Sequence, residues 1–257
     1  MSDPVIRIRN LEKWYGKKQV LGGIDLDVYR GQVLGYIGPN GAGKSTTVKI
    51  LTGLLSDFKG EVTVTGIDMK GNSVEIKKKI GYVPEQAELY EVLTPAEFLT
   101  FMGNLYGMDA DVCSRRIDKM MQAFGLQASI NQRMDTFSKG MKQKVLLISG
   151  LIHNPEIIFL DEPLSGLDAN SVIMVKELIS NLAKEGKTIF YCSHMMDVVE
   201  KVSHRIILID QGRIVADGSF DELKNQVENS SLEQIFARLT AKEGSDRAAN
   251  DLMSAFE

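Results

Sequence analysis

The 257-residue chain has little of several things. It carries two cysteines, three histidines, one tryptophan and six prolines. Cys113 and Cys192 stand far apart and do not make a disulfide framework; their usage points to a reducing compartment. No apolar run approaches the roughly 18–20 residues that span a bilayer, and the opening MSDPVIRIRN has no apolar stretch of the signal-peptide kind. The chain is therefore expected to be soluble, or held at a membrane by another protein. A basic excess is missing too. Lys and Arg number 30 against 34 Asp and Glu, for a formal charge of −4, which argues against a nucleic-acid partner. No internal repeat or low-complexity tract stands out. What is present is a globular composition, 44% hydrophobic and 25% charged, with enough length for one large domain or two intimate ones.

Periodicity divides the chain. Val5–Arg9 alternates apolar and basic residues, and Ile24, Leu26 and Val28 alternate likewise, as half-buried strands do. Val33–Ile37 reads as a short buried strand, followed by a Gly-rich loop and a helix over Ser45–Leu54. Glu61–Val64 and Ile80–Val83 are further strands. From Thr94 to His153 the pattern turns helical. Thr94, Pro95 and Glu97 form a helix start, with an N-cap, a proline at the first helical position and a glutamate at the third. Leu93, Phe98, Phe101, Met102 and Leu105 follow at helical spacing. Arg116–Phe124 and Met141–Ile152 are also read as helices, and no strand is expected before Ile157. Met102, Met108, Met120, Met121 and Met134 are read as adaptable core fillers, with a partner-docking surface as the alternative. Beyond Ile157–Leu160 come a helix over Ala169–Lys184, a strand at Thr188–Cys192, a helix near Asp197–Val202, a strand at Arg205–Ile209, a Gln211-Gly212 turn and a strand at Arg213–Ala216. Strands alternating with helices imply a parallel sheet covered on both faces. Ser231–Leu239 is an amphipathic helix with Leu232, Ile235, Phe236 and Leu239 on one face.

Two constellations carry chemistry. Gly38-Pro39-Asn40-Gly41-Ala42-Gly43-Lys44-Ser45, followed by Thr46, matches G-x-x-x-x-G-K-[ST] between an apolar strand and a helix, where a phosphate cradle requires it. Glycines let backbone N–H groups wrap a phosphate at a helix N-terminus. Lys44 would reach the β- and γ-phosphates, and Ser45 would ligate Mg²⁺. By itself this motif leaves kinases, GTPases and many ATPases open. The second constellation is Asp161 and Glu162 at the end of Ile157–Leu160. Asp161 is placed to hold Mg²⁺. A turn starting at Pro163 would re-aim Glu162 to orient or deprotonate the attacking water.

On these residues, from about Val5 to Glu222, the chain resembles the ATP-binding cassette (ABC) ATPases. The resemblance implies an α/β fold: a P-loop NTPase core with a mostly parallel sheet, an N-terminal antiparallel β-subdomain and an inserted α-helical subdomain. It places the core in residues 1–90 and 155–228, the helical subdomain in 91–154, and a C-terminal helix and flexible tail in 229–257. It implies that Tyr15 stacks on adenine, that Ser138-Lys139-Gly140-Met141 is the signature facing a partner's ATP, that Asp168 of Ser165-Gly166-Leu167-Asp168 communicates across a dimer, and that His194 senses the γ-phosphate.

Two departures from the family pattern matter. The signature usually reads Ser-Gly-Gly-Gln; here Lys139 and Met141 replace two of its residues, while Lys139, Lys142 and Lys144 add positive charge. This variant resembles subunits serving export, multidrug or antibiotic-resistance permeases. The usual glutamine before the helical subdomain is replaced: either Glu85 takes its place as a cation ligand and coupling residue, the preferred reading, or the loop shifts and Gln86 does so. The implied function is an ATPase, with ATP and Mg²⁺, forming a head-to-tail dimer with a second ABC subunit, expected to be an identical chain. It would drive separate transmembrane permease subunits from the cytoplasmic face of the cell membrane, with no nucleic acid. The alternative is a soluble ABC ATPase without a permease, mechanochemical or regulatory.

Overall fold

In the computed structural model, which describes residues 3–71, 73–85, 89–226 and 231–240, the chain opens with a long antiparallel hairpin. β1 (Ile6–Tyr15) and β2 (Lys18–Val28) pair from Ile6↔Val28 to Tyr15↔Lys18. The strand expected over Val5–Arg9 is twice that length for a local reason. Ile6 and Ile8 face the core, but the next buried residue is Leu11, three positions on. Asn10 takes a left-handed conformation (φ 47°) where the register shifts. This bulge resets the alternation, which is why strict period two stops short.

β3 (Val33–Ile37) follows as expected, then the Gly-rich loop and α1 (Lys44–Leu51). α1 is shorter than the expected Ser45–Leu54. Thr52 caps it, Gly53 turns left-handed, and the amides of Leu54 and Leu55 both fold back onto the Lys49 carbonyl. β4 (Lys59–Val64) pairs antiparallel with β1, and the two-residue β5 (Ile67–Asp68), unread in the sequence, extends β4. The four-stranded sheet runs β2-β1-β4-β5. A short α2 (Ser73–Lys77) precedes β6 (Ile80–Val83).

The helical stretch contains α3 (Pro95–Leu105), α4 (Ala110–Ala123) and α5 (Lys139–Leu151). The Thr94–Glu97 capping box forms in full. Phe98 and Leu99 are buried, whereas Phe101 and Leu105 of the expected stripe are exposed. α4 starts six residues before the expected Arg116 because Asp109 caps it, accepting from the Val112 amide at 3.0 Å. Met121 and Met134 are fully buried, and Met102, Met108 and Met120 pack at the core margin. α5 lies against β6 at a glycine pair: a Cβ on Gly81 would overlap the Gly150 carbonyl oxygen, so only glycine permits this approach.

β7 (Ile157–Asp161), α6 (Ala169–Lys184), β8 (Thr188–Cys192), α7 (Met196–Val202), β9 (Arg205–Asp210) and β10 (Arg213–Gly218) follow in order. α8 (Phe220–Gln226) went unread although Ser219 and Glu222 make a reciprocal capping box, and α9 (Leu232–Thr240) closes the described chain. Leu232 and Ile235 are buried and Phe236 packs beside them; the Leu239 side chain and the tail 241–257 lie outside what is described.

The main sheet has the order β10-β9-β3-β8-β7-β6. Its five inner and right-hand strands are parallel, and β10 is antiparallel at the edge. β3, β7 and β8 are buried at every position. Leu34, Tyr36, Phe159 and Phe190 point toward α1 and the antiparallel sheet, and Val33, Ile158, Leu160 and Tyr191 point toward the helices. Two-sided burial explains their unbroken apolar sequences. Phe190 lies 5.0 and 5.6 Å from the rings of Tyr36 and Phe159; truncating it to alanine should cost about 3–5 kcal/mol. The helical stretch shares its core with the adjoining sheet face, since Leu99, Ile117 and Met121 belong to the same cluster as Ile158 and Tyr191.

Candidate functional site

β3, β8, β7 and β6 are neighbours and run in the same direction. Their C-terminal ends therefore open on one edge of the sheet, where ligands bind in open α/β folds. This topology assembles residues far apart in sequence. β3 delivers the Gly-rich loop, β8 delivers Ser193 and His194, β7 delivers Asp161 and Glu162, and β6 leads to Glu85. They surround a cleft of about 430 Å³ lined by Asn40, Gly41, Gly43, Lys44, Ser45, Thr46, Glu85, Asp161, Glu162, His194 and Val20. Val20, on β2, is the lining residue that sequence reasoning missed. An isolated valine in a β-hairpin carries no signal of its own.

The loop is held from behind. A Cβ on Gly38 would overlap the Ile209 carbonyl oxygen, and Gly43 (φ 110°) packs under the Leu21 side chain. Gly43 is also the N-cap of α1, so no side chain covers the first-turn amides. Those amides and the helix dipole favour an anion in the cleft. The Lys44 ammonium lies at the loop mouth, donating to the carbonyls of Gly38 at 2.7 Å and Pro39 at 3.2 Å. Gly38, Pro39 and Ala42 shape the loop without lining the cleft.

Asp161 is buried at the end of β7. Burial first, then the charges of Glu85 and Glu162, push its carboxyl up to about 6, against the pull of a Ser45 hydrogen bond and Lys44. Glu162 faces the cleft by a different route from the expected one. The reversal occurs in its own backbone, left-handed at φ 49°, rather than beginning at Pro163. Its amide still donates to the Cys192 carbonyl at 2.9 Å, so β7 and β8 stay paired to the last residue. A left-handed conformation in a non-glycine residue is strained and concentrates at functional sites. The carboxylate is then shared, with Oε1 2.9 Å from His194 Nδ1 and Oε2 accepting from the Ser193 hydroxyl at 3.0 Å.

Among the described residues no three His, Cys, Asp or Glu side chains form a metal cage. The donors at hand are instead the Ser45 hydroxyl and the carboxyl oxygens of buried Asp161 and exposed Glu85 beside a phosphate cradle. Their mutual charge repulsion, visible in Asp161, suits a hard divalent cation completed by phosphate oxygens.

The remaining candidates lie elsewhere. Tyr15 is half-exposed at the tip of the β1–β2 hairpin, with the Lys13 ammonium 5.1 Å over its ring, and does not line the cleft. Gln86 lies outside the described residues. Ser138 caps α5, accepting from the Met141 amide at 3.2 Å, and with Lys139 stands exposed outside the cleft. Gly140 abuts the Gly166 carbonyl, so the signature segment and the Ser165–Asp168 loop touch within one chain. Two of the three lysines expected to add free positive charge are paired instead: Lys142 with Glu91 at 2.7 Å and Lys144 with Asp168 at 3.5 Å. Asp168 caps α6, and the hydroxyl and amide of Ser171 hold its carboxyl down at about 2. Buried Gln143, unremarked in the sequence, donates to the Pro163 carbonyl at 3.0 Å and ties α5 to the turn after Glu162.

Known proteins share this arrangement. A family model described as ABC transporter matches residues 21–165, and the chain belongs to that family. It is 35% identical over 231 residues to the linearmycin resistance ATP-binding protein LnrL of Bacillus subtilis, covering 90% of this chain and 74% of that protein. It is 35% identical over 228 residues to the ABC transporter ATP-binding protein NatA of Bacillus subtilis, covering 87% and 93%. Among solved structures, an ATP-binding subunit of an ABC transporter superposes with a TM-score of 0.86 at 29% identity, over 92% of this chain and 99% of that one. The dimeric cassette MJ0796, in a post-hydrolysis state with ADP and Pi, superposes with a TM-score of 0.77 at 25% identity, over 83% and 98%. The chain is thus an ATP-binding, ATP-hydrolysing subunit of the ABC transporter class. Among the described residues, no helix is long and apolar enough to cross a membrane.

Proposed function

We propose that this chain is the motor of an exporter: two copies close head to tail around two ATP molecules and drive a separate membrane permease from its cytoplasmic side. One observation carries the reading. Lys44, Ser45, Asp161, Glu162 and His194 converge on one cleft, while Ser138–Met141 lies outside it, with Ser138 and Lys139 exposed. Such a chain holds one half of a two-part site, and a second copy supplies the other. Export is supported by relatives that include resistance proteins, among them a daunorubicin resistance ATP-binding protein of Streptomyces coeruleorubidus at 33% identity, and by the Lys139 and Met141 variant of the signature.

In this reading Lys44 and the first-turn amides of α1 hold the β- and γ-phosphates, and Tyr15 stacks on the adenine once the nucleotide is in place. Ser45, Asp161 and Glu85 would hold Mg²⁺, which neutralises phosphate charge when bound. Glu162 orients the water and accepts its proton, and His194 fixes the carboxylate while reading the γ-phosphate. Asp168, beside its own chain's signature helix, passes closure to the other site. The ATP-bound dimer reopens when the γ-phosphate contacts are lost, because only differential contacts move an equilibrium.

The test is size exclusion of Glu162→Gln with and without ATP. The reading expects an ATP-dependent shift to twice the monomer mass, lost when Gly140→Val closes the signature face. A monomer under every condition would sink it. Recovery of membrane proteins with the tagged chain from detergent extracts separates a permease motor from a soluble ATPase.

A further inference from the structure

Ser193 belongs to none of the roles above, yet it is fully buried and touches the residue on which hydrolysis depends. Its hydroxyl has two directional contacts. The Met195 amide donates to its oxygen at 3.1 Å, and its own proton points to Glu162 Oε2 at 3.0 Å. The first contact decides the second: an amide can only donate, so the serine oxygen accepts there and its hydrogen is left for the carboxylate. The neighbouring Tyr191 hydroxyl is also close, but an ionised carboxylate outcompetes a phenol oxygen for the proton.

Glu162 needs such a partner. Its backbone is left-handed, and its side chain faces an open cleft. Its other oxygen rests on His194, whose ring is exposed. An exposed histidine in a loop is a poor anchor by itself, because holding both side chains in one rotamer costs conformational entropy. Ser193 is rigid by contrast, fixed at the end of β8 by burial and by the first residue before α7.

We propose that Ser193 is a positioning residue for hydrolysis: it holds the Glu162 carboxylate in one orientation and ties that orientation to the start of α7. The proposal rests on the reading of Glu162 as the residue that activates water. Ser193 is fully buried and does not line the cleft. Its removal therefore lowers turnover without weakening ATP binding, whereas a purely structural loss would lower both, or stability alone.

The experiment compares Ser193→Ala, Ser193→Cys and Ser193→Thr in the full chain, reading kcat and KM for ATP and the affinity for a fluorescent ATP analogue. Ala is expected to lower kcat about 10-fold, the worth of one hydrogen bond to a charged group, with KM and analogue affinity within about two-fold. Thr, which keeps the donor, restores most of the rate. Cys keeps the shape but donates weakly, so it follows Ala; it carries the test even if Ala folds poorly. Wild-type kcat in Ala, Cys as fast as Ser, or a loss confined to affinity would overturn the proposal. Glu162→Gln run alongside separates the two ideas. If it still turns over, the role of Glu162 itself fails; if it is inactive while Ser193→Ala is normal, only the proposal for Ser193 fails.

Discussion

The N-termini of α1 and α5 are finished differently. α1 begins after Gly43, which has no side chain to cap it, and opens into a cleft walled by the carboxylates of buried Asp161, part-buried Glu162 and exposed Glu85. α5 begins after Ser138, whose hydroxyl satisfies the Met141 amide, and it faces outward. An uncapped helix end inside a cleft is built to take its anion from a ligand held by its own chain. A self-capped end on the surface is complete without one and needs a second molecule to be of use. The contrast is what the proposed function expects of a chain that carries two unlike halves of a nucleotide site.

That contrast can be broken in steps. The largest effect belongs to the cleft: Glu162→Gln should lower ATP turnover by at least on the order of 10²-fold while nucleotide titration shows binding intact. Near-normal phosphate release would refute its role. Next, Lys44→Ala should weaken binding of a fluorescent ATP analogue about 10- to 100-fold, the range for a lost charge-assisted contact; an unchanged dissociation constant would mean that the loop does not grip phosphate. At the other helix, Ser138→Ala should leave analogue binding by the lone chain unchanged while turnover falls about 10-fold and the lost cap costs about 1 kcal/mol. A loss of affinity in the isolated chain would place Ser138 in its own cleft and erase the contrast.

The smallest effect is one of stability. The Asp161 carboxyl is raised to about 6 in the folded chain, above its unfolded value of about 3.9. Its contribution is therefore fully present below about pH 4 and is lost as pH rises through about 6. Asp161→Asn removes the charge and should stabilise the nucleotide-free chain at pH 7.5 by on the order of 1–2 kcal/mol, a few degrees in melting temperature. The difference should shrink at pH 5. An equal difference at both pH values would rule out carboxylate ionisation as its source.

Much of this was legible beforehand. β3, β8 and the start of α3 lie where the apolar runs and the Thr94 cap put them, because their signals are local: a buried strand is apolar throughout, and an N-cap sits next to the helix it caps. The departures come from geometry without a local signature. Asn10 bulges β1 and hides the length of the strand. Asp109 starts α4 six residues early, on a cap that was overlooked, as was the Ser219–Glu222 box. Lys142 and Lys144 read as free charge until the fold brought Glu91 and Asp168 beside them.

The sequence by itself determined the class of the protein, since the Gly-rich loop, the strand-end acidic pair and the signature segment each need only neighbouring residues to be recognised. The tertiary structure alone decided how the active groups meet. It laid four parallel strands side by side, so that residues 38–46, 85, 161–162 and 193–194 share one edge. It also turned Glu162 through a left-handed backbone onto Ser193 and His194, and buried Asp161 beside other carboxylates, so that burial first and their charge second raise its proton affinity. Those outcomes depend on which strands become neighbours, and chain order does not state that before the core has closed.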